Sequence, residues 1–347
     1  MIIVMLTLLQ LKSVAQKQPC GNPRIDTAAM LKAEGFAARG IAPLAVNNMI
    51  RVYFYIAADN DGSNAAATPD QIKAEFNQLV SDYAPNNLCF AYMGLRYIYD
   101  TNINKNIVAD STPSAALLNP WRLPNCITIF YQTSLLKKRG GTYGGYAYGI
   151  PSNACSVAKG NIGGTTISHE IGHCLGLIHT QETNKNVNFE NINGDNCSTV
   201  GDRVCDTPAD PFERPCAQIT ACVYTGGCTD GNGQSNYTPP YNNIMSYWCT
   251  STSFTNGQYA RVNSYINTDA GLRSTLSATS SATFGPANFN NVTAFVSDIY
   301  EMTSTGTVTN TGNCIIGYVA RKVRLTSGFR ASPTTGKVEI RSTICNY

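Results

Sequence analysis

The chain has 347 residues, room for one large catalytic-sized domain and a smaller module. Hydrophobic residues at 43% and charged residues at only 14% exclude both a disordered chain and a densely charged coiled coil. Lysine plus arginine at 25 against aspartate plus glutamate at 22 leaves +3, which gives no electrostatic case for nucleic acid or an anionic membrane surface as a partner.

From Ile2 to Leu11, eight residues in ten are apolar, and Ser13-Val14-Ala15 follows as a small-x-small cleavage pattern. Residues 1–15 therefore read as an export signal. Such a run is too short for a bilayer that needs about 20 apolar residues, and no later stretch supplies a span, so the mature chain is expected to be soluble and secreted. Thirteen cysteines, none in a CxxC arrangement, point the same way, to disulfides in an oxidising compartment. Residues 16–46 carry Pro19, Pro23 and Pro43 and little periodicity; they read as a pro-segment or an N-terminal arm.

Met49 to Ile56 is β-branched and aromatic and predicts a strand. Thr68-Pro69-Asp70-Gln71 supplies an N-cap, a first-turn proline and a capping-box partner, opening a helix to about Tyr83 with Ile72, Phe76, Leu79 and Val80 on one face. Leu88 to Tyr99 and Cys126 to Leu135 are further strands, and Tyr143 to Ile150 is a glycine-rich one. The order predicts a mixed sheet. Gln181 to Asn242 has no convincing period and is too long for an ordinary connection, so it needs staples. Cys197, Cys205, Cys216, Cys222, Cys228 and Cys249 suffice for three bridges, whose pairing is not readable. A helix around Gln258 to Ile266 and a Ser/Thr/Ala-rich joint near 275–281 follow. Residues 285–347 read as a small β-rich module that a Cys314–Cys345 pair would close.

All three histidines fall in one window, His169-Glu170-Ile-Gly-His173-Cys-Leu-Gly176-Leu-Ile-His179. Three histidines placed at random would adopt this spacing roughly once in 20,000 such chains. On a helix His169 and His173 stand one turn apart on one face, so both rings can reach one metal ion. His179 can join them only if the chain turns, and Gly176 is where a left-handed residue can end the helix. Three neutral imidazoles leave a tetrahedral zinc one open position, the mark of a catalytic rather than a structural site. Glu170 is placed to take a proton from a water held there and to deliver it to a leaving amine.

These residues match HExxHxxGxxH, the motif of the metzincin metalloendopeptidases, at every defined position. Asn243-Ile244-Met245-Ser246-Tyr247 resembles the metzincin methionine turn. The resemblance implies Met245 as an apolar floor below the zinc ligands and Tyr247 as an oxyanion stabiliser. Gly201-Asp202-Arg-Val-Cys-Asp206-Thr-Pro208 and Phe254-Thr-Asn-Gly-Gln258-Tyr-Ala-Arg261 are similar to the pappalysin branch. The likeness runs from about Met49 to Asn267. It implies an α/β (α+β) metzincin-type catalytic domain over 47–278: a mixed twisted sheet with a backing helix and an active-site helix (47–179) above an irregular, disulfide-rich lower subdomain (180–278). It also implies that Gly145, Tyr146 and Ala147 pair main chain to main chain with a peptide substrate. Calcium is implied at Asp202 and Asp206. Pappalysins that cut beside basic residues carry acids just after the methionine turn; here none stands between Met245 and Asp269, so no such preference is expected. Latent relatives place a pro-segment cysteine on zinc, which makes Cys20 a candidate zymogen switch; the alternative is a bridge from Cys20 to Cys89, Cys126 or Cys155. The expectation is a secreted zinc endopeptidase acting on proteins or peptides. Its rivals are a binding protein on a metalloprotease scaffold and a metzincin of the astacin-like or reprolysin-like branches.

Overall fold

A computed structural model describes residues 20–21, 23–37, 49–86, 88–182 and 189–277, and the backbone of 281–284, 287–290, 293–304, 307–325 and 330–342. The export signal at 1–15 and the Cys314–Cys345 closure lie outside the described residues. No helix among those described is long and apolar enough to cross a membrane.

The main sheet is built from β1 (Met49–Ala58), β2 (Cys89–Tyr99), β3 (Ile127–Gln132), β4 (Gly145–Ala147) and β5 (Ala154–Ala158), in the order β2-β1-β3-β5-β4. All neighbours are parallel except β4, which runs antiparallel to β5. β1 is apolar on both faces because both are covered. Ile50, Val52, Phe54 and Ile56 face the helical side, and Tyr53, Tyr55 and Ala57 pack against Ile103, Leu118 and Phe130 on the other. The helical side carries α2 (Pro69–Tyr83) and α5 (Thr166–Cys174). Short helices α3 (Thr101–Lys105) and α4 (Thr112–Ala115) lie between β2 and β3 in sequence. The capping box at Thr68 and Gln71 forms as its sequence predicts, and Ile72, Phe76, Leu79 and Tyr83 bury the inner face of α2.

α2 also clamps the start of α5: Tyr83 Oη donates to the Ser168 carbonyl at 3.0 Å, and Ser168 Oγ donates to Asp82 Oδ2 at 2.6 Å. The clamp fixes where α5 lies across the sheet. Beyond α5 the chain is mostly irregular, with one hairpin, β6 (Gln218–Thr220) and β7 (Val223–Gly226). Disulfides Cys197–Cys205, Cys216–Cys228 and Cys222–Cys249 staple it. α6 (Asn256–Thr268), opened by a second capping box at Thr255 and Gln258, returns to the core through Tyr259, Val262, Tyr265 and Ile266. α7 (Ala270–Ser274) follows.

The structure adds to or departs from the sequence expectation at several places. Residues 27–37, read as aperiodic, form α1 (Thr27–Ala37), started by Asp26 Oδ1 accepting from Ala28 N and Ala29 N at 3.0 Å. The glycine-rich strand shrinks to the three residues of β4, because Tyr148 N turns to the Ala154 carbonyl and the chain doubles back into β5. The tail is a stack of strands. Its strands β8 (Ser281–Phe284), β9 (Ala287–Asn290), β10 (Thr293–Ser304), β11 (Thr307–Arg324) and β12 (Arg330–Ser342) all pair in parallel. Thr293 pairs with Ile315 and Ile315 with Lys337, 22 residues on in each case, while the offset is 21 at Glu301–Lys322, 23 at Thr307–Arg330 and 20 at Ser281–Glu301. Short links between parallel strands at so nearly regular an offset mean that the backbone winds as a solenoid.

Candidate metal centre and active site

α5 carries His169 and His173 on one face, and the chain leaves the helix through Gly176. Gly176 has φ +98°, and a Cβ there would run into the Tyr265 ring, so glycine is required twice over. Leu177 N donates to the Gly172 carbonyl at 2.9 Å and Gly176 N to the His173 carbonyl at 3.0 Å, closing the helix end. The turn brings His179 back. Its Nε2 lies 3.0 Å from His173 Nε2 and 3.2 Å from His169 Nε2.

Each ring is held by its other nitrogen. His169 Nδ1 donates to the Ile244 carbonyl at 2.6 Å and His173 Nδ1 to the Leu177 carbonyl at 2.8 Å. His179 Nδ1 lies 3.2 Å from Glu182 Oε2. Protons fixed on Nδ1 leave three Nε2 lone pairs facing one another in a buried space, an arrangement that repels unless a cation lies among them. Their spacing suits one ion, since four ligands about 2.1 Å from zinc stand roughly 3.4 Å apart. The residues fit the metal. Glu182, three positions after the last histidine, was missed by the sequence reading; an acid at that offset is its only signal.

The fourth member of the cluster is Cys20, whose Sγ lies with the three histidine nitrogens, all within 4.8 Å of one another. Cys20 is in no disulfide, so the bridge to Cys89, Cys126 or Cys155 does not form. Cys126, Cys155 and Cys174 are free and buried. Burial and the neighbouring Cys174 push the Cys155 thiol upward. The segment bearing Cys20 lies along the sheet edge. Gly21 N donates to the Gly145 carbonyl at 3.3 Å, Gly21 packs on the Tyr146 ring, and Ile25 bridges Ile150 in parallel. From the opposite side, Tyr247 Oη donates to the Cys20 carbonyl.

Glu170 is fully buried beside this cluster, and β4 passes directly over it. A Cβ on Gly145 would strike the Glu170 carboxylate, so β4 is glycine where it crosses the acid. Gly145→Ala is expected to lower kcat on a peptide substrate by about 10- to 100-fold with little change in KM, because the carboxylate must shift by close to an ångström. A steady-state measurement showing unchanged kcat would separate Gly145 from Glu170.

The Asn243–Tyr247 turn supports the cluster from below. Met245 N donates to Asn243 Oδ1 at 2.9 Å, and Asn243 and Gln258 exchange side-chain hydrogen bonds of 2.9 and 3.1 Å. Met245 is fully buried, and a Cβ on Gly172 would strike its sulfur. The floor and the helix thus touch at Gly172, between the first two histidines. Tyr247 lies edge-on to the His179 ring at 4.7 Å and to Phe212 at 5.7 Å. Burial holds its phenol well above the ordinary range, and therefore protonated. Asp210 ties the turn to the third histidine, accepting from Thr180 Oγ1 at 2.5 Å and from Trp248 Nε1 at 3.2 Å, with burial pushing its carboxyl up to about 6.

Asp202 and Asp206 part company. Asp202 is buried: its Oδ1 accepts from Val204 N at 2.9 Å and its Oδ2 has no hydrogen bond among the described residues. Burial raises it to about 7, and raises the neighbouring Glu190, which also feels Asp202, to about 9. A Cβ on Gly201 would strike the Glu190 carboxylate. Asp206 is exposed and accepts from Gly257 N at 2.7 Å, at the start of α6.

Comparison with known proteins agrees with this geometry. Residues 156–267 match the Peptidase_M43 family model, described as pregnancy-associated plasma protein-A. An extracellular metalloprotease of Neurospora crassa is 30% identical over 265 residues, 68% of this chain and 81% of the relative. One from Colletotrichum graminicola is 29% identical over 252 residues, 67% of this chain and 80% of the relative. Extracellular metalloprotease 1 of Coccidioides posadasii is 28% identical over 262 residues, 69% of this chain and 83% of the relative.

Proposed function

The chain belongs to the pappalysin (Peptidase_M43) family of metzincin-type metalloendopeptidases, and from that premise we propose a secreted, zinc-dependent endopeptidase made as a latent precursor. The observation that carries the reading is the convergence of three Nε2 lone pairs, that of His179 lying 3.0 Å from His173 and 3.2 Å from His169. Zinc, when bound there, supplies a Lewis acid that lowers the pKa of water to about 7 and polarises a scissile carbonyl.

The chain's own residues do the rest. The free edge of β4 (Gly145, Tyr146, Ala147) hydrogen-bonds an extended substrate main chain, as it does Gly21 in the latent form. Glu170 takes the proton from the attacking water and passes it to the leaving amine nitrogen. Tyr247, protonated and held by Phe212, donates to the carbonyl oxygen as negative charge develops on it. In the latent form that donor is turned to the Cys20 carbonyl, so Cys20 would take the open ligand position with its thiol and takes the oxyanion position with its main chain. Residues 1–15 serve as the export signal and 16–46 as the pro-segment, ahead of a catalytic domain at 47–278 and a β module at 285–347. Asp202, with Glu190 and Thr207 beside it rather than Asp206, would hold calcium in the lower half, where the cation would neutralise buried carboxylates.

Chelation tests both ions. 1,10-Phenanthroline is expected to abolish peptide cleavage by the exported, activated protein, whose precursor should start at Gln16, and added zinc to restore it. EGTA is expected to lower Tm by several degrees at unchanged zinc content. Cleavage that survives complete zinc removal would remove the proposed chemistry, and a Tm indifferent to EGTA would remove the calcium.

A further inference from the structure

α6 crosses the end of α5, and from it one cation reaches the turn between the second and third histidines. Arg261 is 8% exposed. Its Nε donates to the Gly176 carbonyl at 3.0 Å, its guanidinium lies 5.5 Å from the centroid of the Tyr265 ring, and its Nη1 reaches Glu34 Oε1 of α1 at 3.4 Å. Tyr265 is the ring on which Gly176 rests. One side chain therefore holds the Gly176 peptide from the side while its stacking partner supports it from below.

That peptide controls two histidines at once. Its nitrogen partner, Leu177 N, closes α5 on the Gly172 carbonyl, and the Leu177 carbonyl accepts from His173 Nδ1, which fixes the tautomer of the second ring. Two residues on stands His179. A glycine at φ +98° has no side chain to hold its own position, and no helix continues through it. The charge-assisted bond from Arg261 is the only contact from α6 to this carbonyl among the described hydrogen bonds, and it is made to a buried oxygen where such bonds are strong.

We propose that Arg261 is a positioning residue of the metal centre: it locks the Gly176–His179 turn so that the third ring meets the first two, and so sets the affinity for zinc. The guanidinium is suited to this because its fork reaches the carbonyl and the Glu34 carboxylate together, which a lysine ammonium at the end of a flexible stem does not reproduce. The inference rests on the three histidines being the ligands, and the test separates the two claims.

Zinc affinity is measured on the purified full-length chain by competition with a chromogenic chelator, alongside the Tm of the zinc-free protein, for wild type, Arg261→Gln, Arg261→Lys and His179→Gln. Both Arg261 variants are expected to bind zinc about 10- to 100-fold more weakly, the size typical of losing a group that orients a ligand. Arg261→Lys keeps the charge and the stem, and carries the test if the glutamine variant does not fold. A lower zinc-free Tm with wild-type zinc affinity would make Arg261 a packing residue and overturn the proposal. Unchanged affinity in His179→Gln would instead overturn the ligand assignment beneath it.

Discussion

Glu170→Gln, assayed after removal of the N-terminal segment, is expected to keep its zinc and to lose about four orders of magnitude in kcat/KM, near the upper end of what a general base contributes. Glutamine has the size and shape of glutamate, so the space under Gly145 stays filled and α5 stays capped by the same neighbours. Only the ability to accept and return a proton is removed. None of the three histidines can substitute, because His169 and His173 spend Nδ1 on main-chain carbonyls, His179 turns its own toward Glu182, and all three direct Nε2 at one another. Nor can Tyr247, whose buried phenol resists ionisation. Zinc analysis and steady-state kinetics on the same preparation decide the point. Turnover within tenfold of wild type would take the base role from Glu170.

Cys20→Ser should act in the opposite direction and switch on the uncut chain. A tethered thiolate competes with water and substrate at high effective concentration, so loss of its sulfur is expected to raise activity of the full-length protein by at least about 100-fold. The serine variant keeps the Tyr247 bond to the main-chain carbonyl and the bond from Gly21 to Gly145, so the edge of β4 remains partly covered and activity should stay below that of the processed enzyme. Peptide mapping gives an independent check: Cys20 should alkylate after zinc removal and appear in no disulfide. A silent Cys20→Ser chain, or a mapped bridge from Cys20, would exclude the switch.

Much of the centre was legible because it is local. Two histidines at i and i+4 and a helix-ending glycine fix two rings and predict the return of the third without any distant contact. The capping box at Thr68 and Gln71 is equally short-range and was equally readable. What escaped depends on residues far apart in the chain. Arg261 meets Gly176 across 85 positions, and no pattern in either segment announces it. β5 escaped because Ala154–Ala158 is a run of small residues without the aromatic and β-branched signature, and it is a strand only because both faces are covered. α1 lacks a strong apolar stripe and is held by packing of Met30 and Ala33 and by Glu34 on Arg203 and Arg261. Disulfide pairing likewise needed the fold, since six cysteines in one irregular segment admit many pairings. In the tail the coils share spacing rather than motif, so the β character was visible and the winding was not.

That winding sets how the two ends of the molecule come apart. Within the tail each strand pairs with the strands beside it, and β10 and β11 also lie against β2 while β12 pairs only with β11, so order can be lost from that last strand inward. The sheet half, where α2 clamps α5 and α6 returns from far along the chain, has no such gradual route and should melt in a single step. Heating would fray one end like a rope while the other still cuts.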